Sequence, residues 1–309
     1  MNKNKAFRIF RLVLRLLIGI MFITTAVLKL FSLDEFELYI YSFEIFNYVM
    51  VTVLARLLIA FEFLLGVFLI TKTYYTYTWW LTMATMIGFT LFLVYVALFR
   101  NDTNCHCFGD FVDLNPVNSI IKNLITIVAL LFIRKEEDYR FRFKKWVIGA
   151  SIAVAVIVPF FVFPMDALYN KFVSPKSDIN MNAFQTLQQD TLVAVPDLKE
   201  GNYVVAFFIA QCEYCRLSIK KINSIVQRNG LDKERIKIFI SGYDDSIDLF
   251  KEESESWDYD YYSISPFISL DITYGRFPTM MYISDNQIQK VTDLRGIEEK
   301  ELVDFLEIK

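Results

Sequence analysis

Two close pairs of cysteines account for all four cysteines of this 309-residue chain. Cys105 and Cys107 flank His106 after a long apolar segment, whereas Cys212 and Cys215 are separated by two residues in the less apolar second half. Neighbouring thiols interconvert between dithiol and disulfide when one of them ionises and attacks a disulfide. If both pairs lie on one side of a membrane, the pattern predicts a two-step electron relay.

The first pair is constrained by its spacing. Cysteines one residue apart can close only a small, strained ring, and strain makes a disulfide easier to reduce. We therefore expect Cys105 and Cys107 to be reactive, the alternatives being free thiols or weak metal ligands. His106, the only histidine in the chain, either transfers protons beside these thiols or is an ordinary exposed loop residue.

The second pair lies between a predicted strand at residues 203–210 and a predicted helix at residues 216–229. Cys212 then meets the positive end of the helix dipole, which favours its thiolate. We predict that Cys212 attacks and that Cys215 resolves the mixed disulfide. A structural disulfide and half of a zinc site are the alternatives. Zinc needs further ligands, and we expect no metal.

Composition divides the chain into a membrane half and a soluble half. Hydrophobic residues make up 55% of the chain, and its mean hydropathy is +0.36. Residues 1–177 carry 18 Lys and Arg against 12 Asp and Glu, whereas residues 178–309 carry 14 against 23. A basic apolar half followed by an acidic half indicates two domains, with lipid as a partner of the first and no nucleic-acid partner.

Five segments approach the roughly 20 apolar residues that a spanning helix needs. They are residues 12–31, 49–71, 79–99, 116–133 and 146–165. The first contains Arg15 and Lys29 near its ends, where long side chains are expected to snorkel to the membrane surface. It shows no small-residue cleavage pattern, so we expect it to be retained rather than removed as a signal peptide.

The positions of Lys and Arg predict the orientation of these spans. Basic residues concentrate before residue 16 and again between residues 134 and 145, which places both regions in the cytoplasm. Four spans separate the two regions, and the fifth exports the rest of the chain. Both cysteine pairs then face the outside of a bacterial inner membrane, in a periplasmic or other extracytoplasmic compartment where dithiol chemistry is normal.

Three ionisable residues lie at membrane depth, where charge is costly and is often functional. Arg56 and Glu62 fall in the second span, and Lys122 falls in the fourth. We predict that they line a pocket for a quinone head group beneath the cysteine loop, with His106 above it. The alternative is buried ion pairs that fix the helix packing. Arg56 and Glu62 are six residues apart, so each is expected to find a partner on another element.

The second half alternates strand and helix signals, which predicts a soluble α/β domain with crossover connections. Besides the strand and helix around the second cysteine pair, strands are predicted at residues 236–241, 279–284 and 288–293, with helices at 245–254 and 298–306. The domain organisation is therefore 1–135 for a four-span membrane domain, 136–177 for a fifth span and linker, and 178–309 for the soluble domain.

The soluble domain resembles the thioredoxin superfamily, in a TlpA-like form. The resemblance is carried by Cys212, Cys215 and Pro278, the last within the stretch Arg-Phe-Pro-Thr before a predicted strand. It implies a cis-proline facing the active-site disulfide. Residues 209–211 are Ile-Ala-Gln, without the tryptophan that usually precedes the first cysteine, so the redox potential is left open.

The membrane domain resembles the MauE/DoxX family over residues 8–135. The resemblance is carried by the polar residues of the first two spans, the four-span plan and the stretch Cys-His-Cys-Phe-Gly-Asp at residues 105–110. MauE is associated with disulfide formation during methylamine dehydrogenase maturation, and DoxX proteins with thiosulfate:quinone oxidoreduction. The fusion is also similar to vitamin K epoxide reductase homologues joined to thioredoxin modules. This chain has no Cys-x-x-Cys within a span, so its quinone-side pair would be Cys105 and Cys107.

Three functions fit these features. The chain oxidises cysteine-containing extracytoplasmic proteins and passes electrons through both pairs to a membrane quinone, or the same parts run in the reductive direction, or the protein is a non-catalytic assembly factor. Oxidation is favoured because the sequence predicts no cytoplasmic cysteine to carry reductant outward. Glu213 lies inside the second pair and opposes the Cys212 thiolate, which keeps the reductive direction open.

Overall fold

The structure is a computed structural model that describes residues 3–100, 105, 109, 114–134, 142, 144–163, 165–166, 178–189 and 196–307. The chain divides into two compact units. We call Met1–Ile40 with Met50–Pro164 the membrane unit, and Tyr41–Val49 with Met165–Lys309 the soluble unit. A short segment from the first third of the chain is therefore part of the soluble unit.

The first half of the chain is helical. Its helices are α1 (Lys3–Phe31), α2 (Leu33–Tyr41), α3 (Tyr48–Thr71), α4 (Tyr75–Phe99), α5 (Pro116–Ile133) and α6 (Lys144–Ile157). The last continues into a π-helical turn, Val158–Val162. Asn115 caps α5 by accepting the Asn118 N–H, and Pro116 occupies its first turn, where a missing N–H leaves no bond unmade.

Five of these helical stretches are long and apolar enough to cross a bilayer. They are Lys5–Phe31, Tyr48–Thr71, Tyr75–Phe99, Pro116–Ile133 and Lys144–Val162. Large apolar side chains such as Leu91, Leu98 and Ile125 point away from the protein interior, as a lipid-facing surface requires. The protein is a membrane protein, and the predicted plan of four spans followed by a fifth is confirmed.

Close packing and interhelical hydrogen bonds hold the bundle together. Gly19 of α1 and Gly66 of α3 face each other so closely that a Cβ on Gly66 would lie 2.7 Å from the Gly19 carbonyl oxygen, and small residues allow such approach in membranes. On α4, the Tyr75 hydroxyl donates to the Ile133 carbonyl at 2.6 Å, and the Trp79 indole donates to the Leu130 carbonyl at 2.8 Å. Both bonds fix α4 against α5.

The second half forms a mixed α/β domain. Its strands are β1 (Asn202–Ile209), β2 (Ile236–Ser241), β3 (Asp260–Ser263), β4 (Thr279–Ser284) and β5 (Gln287–Thr292). Its helices are α7 (Met181–Gln189), α8 (Glu213–Asn229), α9 (Asp244–Glu253), α10 (Pro266–Thr273) and α11 (Glu299–Glu307).

The sheet order is β3-β2-β1-β4-β5. β1, β2 and β3 are parallel, whereas β4 runs antiparallel to β1 and β5 antiparallel to β4. Parallel neighbours require crossover helices, and α8 and α9 supply them. Asp285 and Asn286 both have positive φ between β4 and β5, as a two-residue hairpin turn requires. The predicted soluble α/β domain is confirmed, with a thioredoxin-like order of strands and helices.

The core of this domain surrounds β1, whose central residues are fully buried. Phe207 of β1 is opposite Phe239 of β2 in the register, and their rings stack with centroids 5.0 Å apart. Three elements around the sheet were not predicted by the sequence analysis, namely α7, β3 and α10. β3 has only four residues and lies at the sheet edge, so its sequence carries little apolar alternation.

Candidate functional site

The second cysteine pair lies where β1 passes into α8. Cys212 is the N-cap residue of α8, with extended backbone, and its sulfur accepts the Cys215 N–H at 3.3 Å. The Cys212 N–H bonds back to the Ile209 carbonyl at 2.9 Å, which fixes the turn between strand and helix. A sulfur in the N-cap position receives both a backbone donor and the positive end of the helix dipole.

The two thiols of this pair differ in exposure and acidity. The pKa of Cys212 is lowered to about 7, first by a hydrogen bond from the Cys215 thiol and then by the backbone N–H groups of Cys215 and Tyr214 and the charge of Arg216. The pKa of Cys215 is raised, because burial and the neighbouring Cys212 sulfur both oppose its ionisation. Cys212 is partly exposed and Cys215 is fully buried. This arrangement gives one attacking thiolate and one protected resolving thiol.

Pro278 lies at the same end of the sheet. The Phe277–Pro278 peptide bond is cis, as the thioredoxin resemblance implies. In the β1–β4 register Thr279 is opposite Phe207, so Pro278 precedes β4 beside the end of β1 that leads to Cys212. Sequence position alone separates the two by more than sixty residues, and the antiparallel pairing of β4 with β1 brings their ends together.

Of the first cysteine pair, the structure describes Cys105. Its side chain is 4% exposed, and its sulfur lies 3.0 Å from the Ser119 hydroxyl, which is itself fully buried. The Cys105 N–H donates to the Leu114 carbonyl at 2.9 Å. These contacts fix the sulfur beside the first turns of α5. Cys107 and His106 lie outside the described residues, so their predicted roles stay predictions.

Arg56 serves as a link between helices of the membrane unit. It is 2% exposed and pairs with Glu37 of α2. Its guanidinium also donates to the carbonyl oxygens of Thr52 at 2.9 Å and Pro159 at 3.0 Å, and twice to that of Phe163. The Pro159 and Phe163 carbonyls are available because the helical turn ends at Val162, and the last carbonyls of a helix have no intrahelical partner. Arg56 therefore joins α3, α2 and the end of the fifth span, as the ion-pair alternative predicts.

Glu62 has a different environment. Its Oε1 accepts from Lys29 of α1 at 2.6 Å, and both side chains are nearly inaccessible. Its Oε2 is buried without a hydrogen-bond partner among the described residues. The Lys29 ammonium also lies 5.3 Å from the Phe36 ring centroid and 5.4 Å from that of Phe89. The predicted snorkelling of Lys29 is wrong, because the carboxylate and two aromatic rings hold its ammonium inside the bundle.

Of the three residues predicted to line a quinone pocket, only Glu62 can accept hydrogen bonds. Its Oε2 has no hydrogen-bond partner among the described residues. Arg56 uses its guanidinium within the bundle, and Lys122 of α5 is half-buried. A quinol hydroxyl needs an acceptor, and a buried carboxylate oxygen can provide one. The unpartnered oxygen of Glu62 therefore fits the hydroxyl of a quinol, and the predicted places of Arg56 and Lys122 in a quinone pocket stay predictions.

Sequence reasoning missed Ser119, Lys29 and Glu37 as partners of predicted site residues. Each is on a different helix from the residue it contacts or far from it along the chain, so no local spacing signals the pairing. Glu37 did carry a signal. It is an acidic residue that lies between Phe36 and Leu38, beyond the acidic first turn of α2, and a membrane-buried arginine on a neighbouring helix needs such a partner.

Comparison with known proteins supports both halves of this description. Residues 7–134 match the model of a family described as methylamine utilisation protein MauE. A curated relative is Protein TlpB of Flavobacterium psychrophilum, 25% identical over 330 aligned positions that include 90% of this chain and 89% of that protein. The match extends across both units, so the fusion itself is shared with this relative.

A solved structure also aligns with part of the chain. It is a secreted Mycobacterium tuberculosis disulfide oxidoreductase homologous to E. coli DsbE, with 10% identity, 35% of this chain and 82% of that chain covered, and a TM-score of 0.29. The thioredoxin-like character of the soluble domain rests on its own sheet order, its cysteine pair at a helix start and its cis-proline. The chain joins a MauE-type membrane domain to a thioredoxin-like domain.

Proposed function

We propose that this protein is a membrane thiol–disulfide oxidoreductase that oxidises extracytoplasmic protein thiols. A substrate thiolate attacks the Cys212–Cys215 disulfide at Cys212, and Cys215 leaves as a thiolate. A second substrate thiol then attacks the mixed disulfide, releasing an oxidised substrate and a reduced Cys212–Cys215 dithiol. Two electrons and two protons leave the substrate in this exchange.

The observation that carries the proposal is the asymmetry of the second pair. Cys212 is partly exposed with its pKa lowered to about 7, so about half of it is thiolate at neutral pH, whereas Cys215 is buried with its pKa raised. A structural disulfide has no use for one activated and accessible sulfur. The placement of Cys212 at the start of α8 supports a catalytic role for the same reason.

Regeneration of the disulfide is assigned to Cys105 and Cys107. The Cys212 thiolate attacks a Cys105–Cys107 disulfide, and one of those two sulfurs leaves as a thiolate. Cys215 then attacks Cys212 in the mixed disulfide, which restores the Cys212–Cys215 disulfide and leaves Cys105 and Cys107 as a dithiol. Glu62 and Lys29 would hold a membrane quinone, which would accept the two electrons and two protons of that dithiol. Glu62 Oε2 would take up a proton from the dithiol and pass it on, while Lys29 keeps the carboxylate oriented by donating to Oε1. His106 and Lys122 stay predictions for proton transfer.

The same proposal includes orientation and location. The N-terminus is cytoplasmic and the soluble unit extracytoplasmic in the inner membrane, because Lys and Arg concentrate in the first turns of α1 and again between α5 and the start of α6. An impermeant maleimide applied to intact, reduced cells should label Cys212. Labelling that appears only after permeabilisation would overturn the orientation and, with it, the extracytoplasmic substrates.

The resting redox state of Cys212 and Cys215 tests the relay. Cells are quenched in acid, and the remaining thiols are tagged with a mass-shifting maleimide. We expect the pair to be mainly oxidised in the wild type and mainly reduced after Cys105→Ala with Cys107→Ala. If the redox state ignores the loss of the first pair, the two pairs do not communicate and the relay is wrong.

The quinone assignment needs a separate comparison of two carboxyl-to-amide changes. Glu62→Gln should slow quinone-dependent reoxidation of the purified protein severalfold without lowering its unfolding temperature much, because the amide still accepts from Lys29. Glu37→Gln alters the ion pair of Arg56 and should lower the unfolding temperature while leaving the rate unchanged where the protein is folded. Equal rates for the wild type and Glu62→Gln would show Glu62 to be structural.

A second candidate is the reductive direction, favoured by one observation. A Cys212 pKa of about 7 is near that of thioredoxin and well above that of a strongly oxidising protein such as DsbA. Stronger thiolate stabilisation makes a pair more oxidising, so moderate stabilisation is compatible with a reductant. In that case the wild-type pair is mainly reduced in cells and becomes oxidised when Cys105 and Cys107 are lost, the opposite of the result expected above.

A further inference from the structure

Tyr41–Val49 connects two membrane helices, yet it belongs to the soluble unit. The segment includes the last residue of α2 and the first two of α3, and Met50 returns the chain to the membrane unit. We call this segment the strap. The chain therefore passes between the two units three times, before Tyr41, after Val49 and before Met165.

Glu299 in the first turn of α11 binds both ends of the strap. Its Oε1 accepts from the Tyr41 hydroxyl at 2.7 Å, and its Oε2 accepts the Tyr48 N–H at 3.0 Å. The second bond satisfies one of the N–H groups that the start of α3 leaves without an intrahelical partner, and a carboxylate there is favoured by the helix dipole. The Tyr41 and Tyr48 rings pack edge to face, with centroids 5.5 Å apart.

Two cations of α8, one in its middle and one near its C-terminal end, contact the same segment. Arg228 donates to the Phe46 carbonyl, lies 5.0 Å from the Tyr41 ring centroid and approaches Glu299 Oε1 at 3.8 Å. Lys221 is fully buried, and its ammonium lies 4.1 Å from the Tyr48 ring centroid. It also pairs with Asp166 at 2.8 Å and donates to the Leu294 carbonyl. Asp166 follows the fifth span directly.

We propose that the surface formed by α8 and α11 is an intramolecular binding site for the strap and Asp166, and that these contacts hold both segments to the thioredoxin-like domain without help from the linker of residues 167–177. The proposal stands whether or not the protein is an oxidoreductase, because it rests on contacts remote from the cysteines.

The contacts of Lys221 and Glu299 with the strap and Asp166 are specific polar contacts and not only apolar packing. A fully buried lysine without compensation is costly, and the Lys221 ammonium is compensated by one carboxylate, one carbonyl and one aromatic face. Two of those three groups, Asp166 and Tyr48, come from segments next to membrane spans. Both carboxylate oxygens of Glu299 likewise accept hydrogen bonds from the strap. The fully buried Lys221 and the partly buried Glu299 of the thioredoxin-like domain therefore both bind the strap or Asp166.

Cleavage of the linker tests this binding site directly. A protease site is inserted between Lys176 and Ser177 of the full-length protein, which leaves the strap and Asp166 on the membrane fragment. After cleavage in mild detergent, the soluble fragment is followed by size exclusion through a C-terminal tag. We expect the two wild-type fragments to co-elute. Separation of the wild-type fragments on cleavage would overturn the proposal.

Two sets of variants identify the residues that hold the fragments together. Arg228→Ala with Glu299→Ala, and separately Lys221→Met, should release the soluble fragment at least about tenfold faster, because each breaks contacts with the strap or Asp166. Lys233→Ala is the matched control, since its pair with Asp258 is largely exposed and worth little.

Folding of each variant is checked by the pH midpoint of Cys212 alkylation, which should stay near that of the wild type. A variant that loses this midpoint is replaced by Glu299→Gln, which keeps the side-chain shape. If correctly folded variants remain bound as firmly as the wild type, other contacts hold the domain and the binding site is wrongly assigned.

Discussion

Cys212 and Cys105 are both held near the start of a helix, but their surroundings differ. Cys212 caps α8, is partly exposed, and accepts hydrogen bonds from the backbone and from the Cys215 thiol. Cys105 precedes α5, is 4% exposed, and has its sulfur against the buried Ser119 hydroxyl. The first site leaves its sulfur partly accessible, whereas the second buries its sulfur.

The burial of Cys105 predicts which sulfur of the first pair is attacked. A thiolate attacks along the axis of the disulfide and must reach the sulfur that it joins. Cys105 is too buried for a protein-sized attacker, so under the proposed relay we expect Cys212 to join Cys107. The Cys105–Cys107 bond would then break, and Cys105 would leave as a thiolate beside Ser119. Cys105 is thus the buried, protected sulfur of the membrane pair, as Cys215 is of the soluble pair.

The largest effect is expected on the relative yields of two mixed disulfides, Cys212–Cys107 and Cys212–Cys105. Cys215→Ser removes the resolving thiol of the soluble pair, so Cys212 stays joined to whatever it attacks. Combined with Cys105→Ser, it should accumulate a Cys212–Cys107 disulfide under mild oxidation. Combined with Cys107→Ser, the Cys212–Cys105 species should be at least about tenfold less abundant, because reaching Cys105 needs local opening.

The measurement uses linker cleavage followed by non-reducing electrophoresis, with peptide mapping of the joined product. Cys212→Ser with Cys215→Ser serves as the control and should give no joined product at all. Equal yields from the two loop cysteines would contradict the assignment of Cys107 as the entry sulfur.

The sequence predicted much of this comparison. Apolar length gave five spans because a bilayer demands it, and the strand before Cys212 with the helix after it gave the N-cap thiolate. Burial of Cys105 was beyond reach, since it depends on how the loop packs on α5. The partners Lys29 for Glu62 and Glu299 for the strap were equally hidden, because each joins elements separated by tens or hundreds of residues. Local spacing carries no record of such pairings.

A second prediction concerns accessibility to a small reagent. In two chains that each retain one cysteine, Cys212 alone or Cys105 alone, native-state alkylation of Cys212 should be at least about 100-fold faster. Cys105 reacts only when its surroundings open, and opening costs free energy. The two chains should react at similar rates after denaturation, which controls for intrinsic reactivity. Comparable native rates would show that Cys105 is not protected and would remove the basis of the comparison.

A third prediction concerns pH. Cys215→Ala removes the thiol that donates to Cys212, so the Cys212 pKa should rise from about 7 toward ~8.5, the ordinary value. At pH 7 its thiolate fraction falls roughly fifteenfold, but the thiolate becomes a better nucleophile by roughly fivefold, given a Brønsted slope of ~0.45. Alkylation should therefore be about threefold slower at pH 7 and faster than wild type above about pH 8.

Cys215→Ser is the matched control, because the serine hydroxyl still donates to the Cys212 sulfur. Its alkylation midpoint should lie closer to that of the wild type than the midpoint of Cys215→Ala does. If both variants titrate alike, the Cys215 side chain does not set the acidity of Cys212, and the backbone donors of α8 carry the whole effect.

The smallest effect expected is at Ser119, and it tests whether Cys105 is a leaving sulfur as well as a buried one. A hydroxyl that donates to a departing thiolate stabilises the reduced pair, which makes the pair a stronger oxidant. Ser119→Ala removes this donor at a cost of about 1 kcal/mol, so the Cys105–Cys107 potential should fall by about 20 mV, about fivefold in the equilibrium constant with glutathione. Ser119→Thr keeps the hydroxyl and should stay near the wild-type potential. A purely structural Ser119 would change the unfolding temperature in both variants and leave the potential where it is. In that outcome Cys105 is protected by burial alone, and its predicted role as a leaving sulfur stabilised by Ser119 is contradicted.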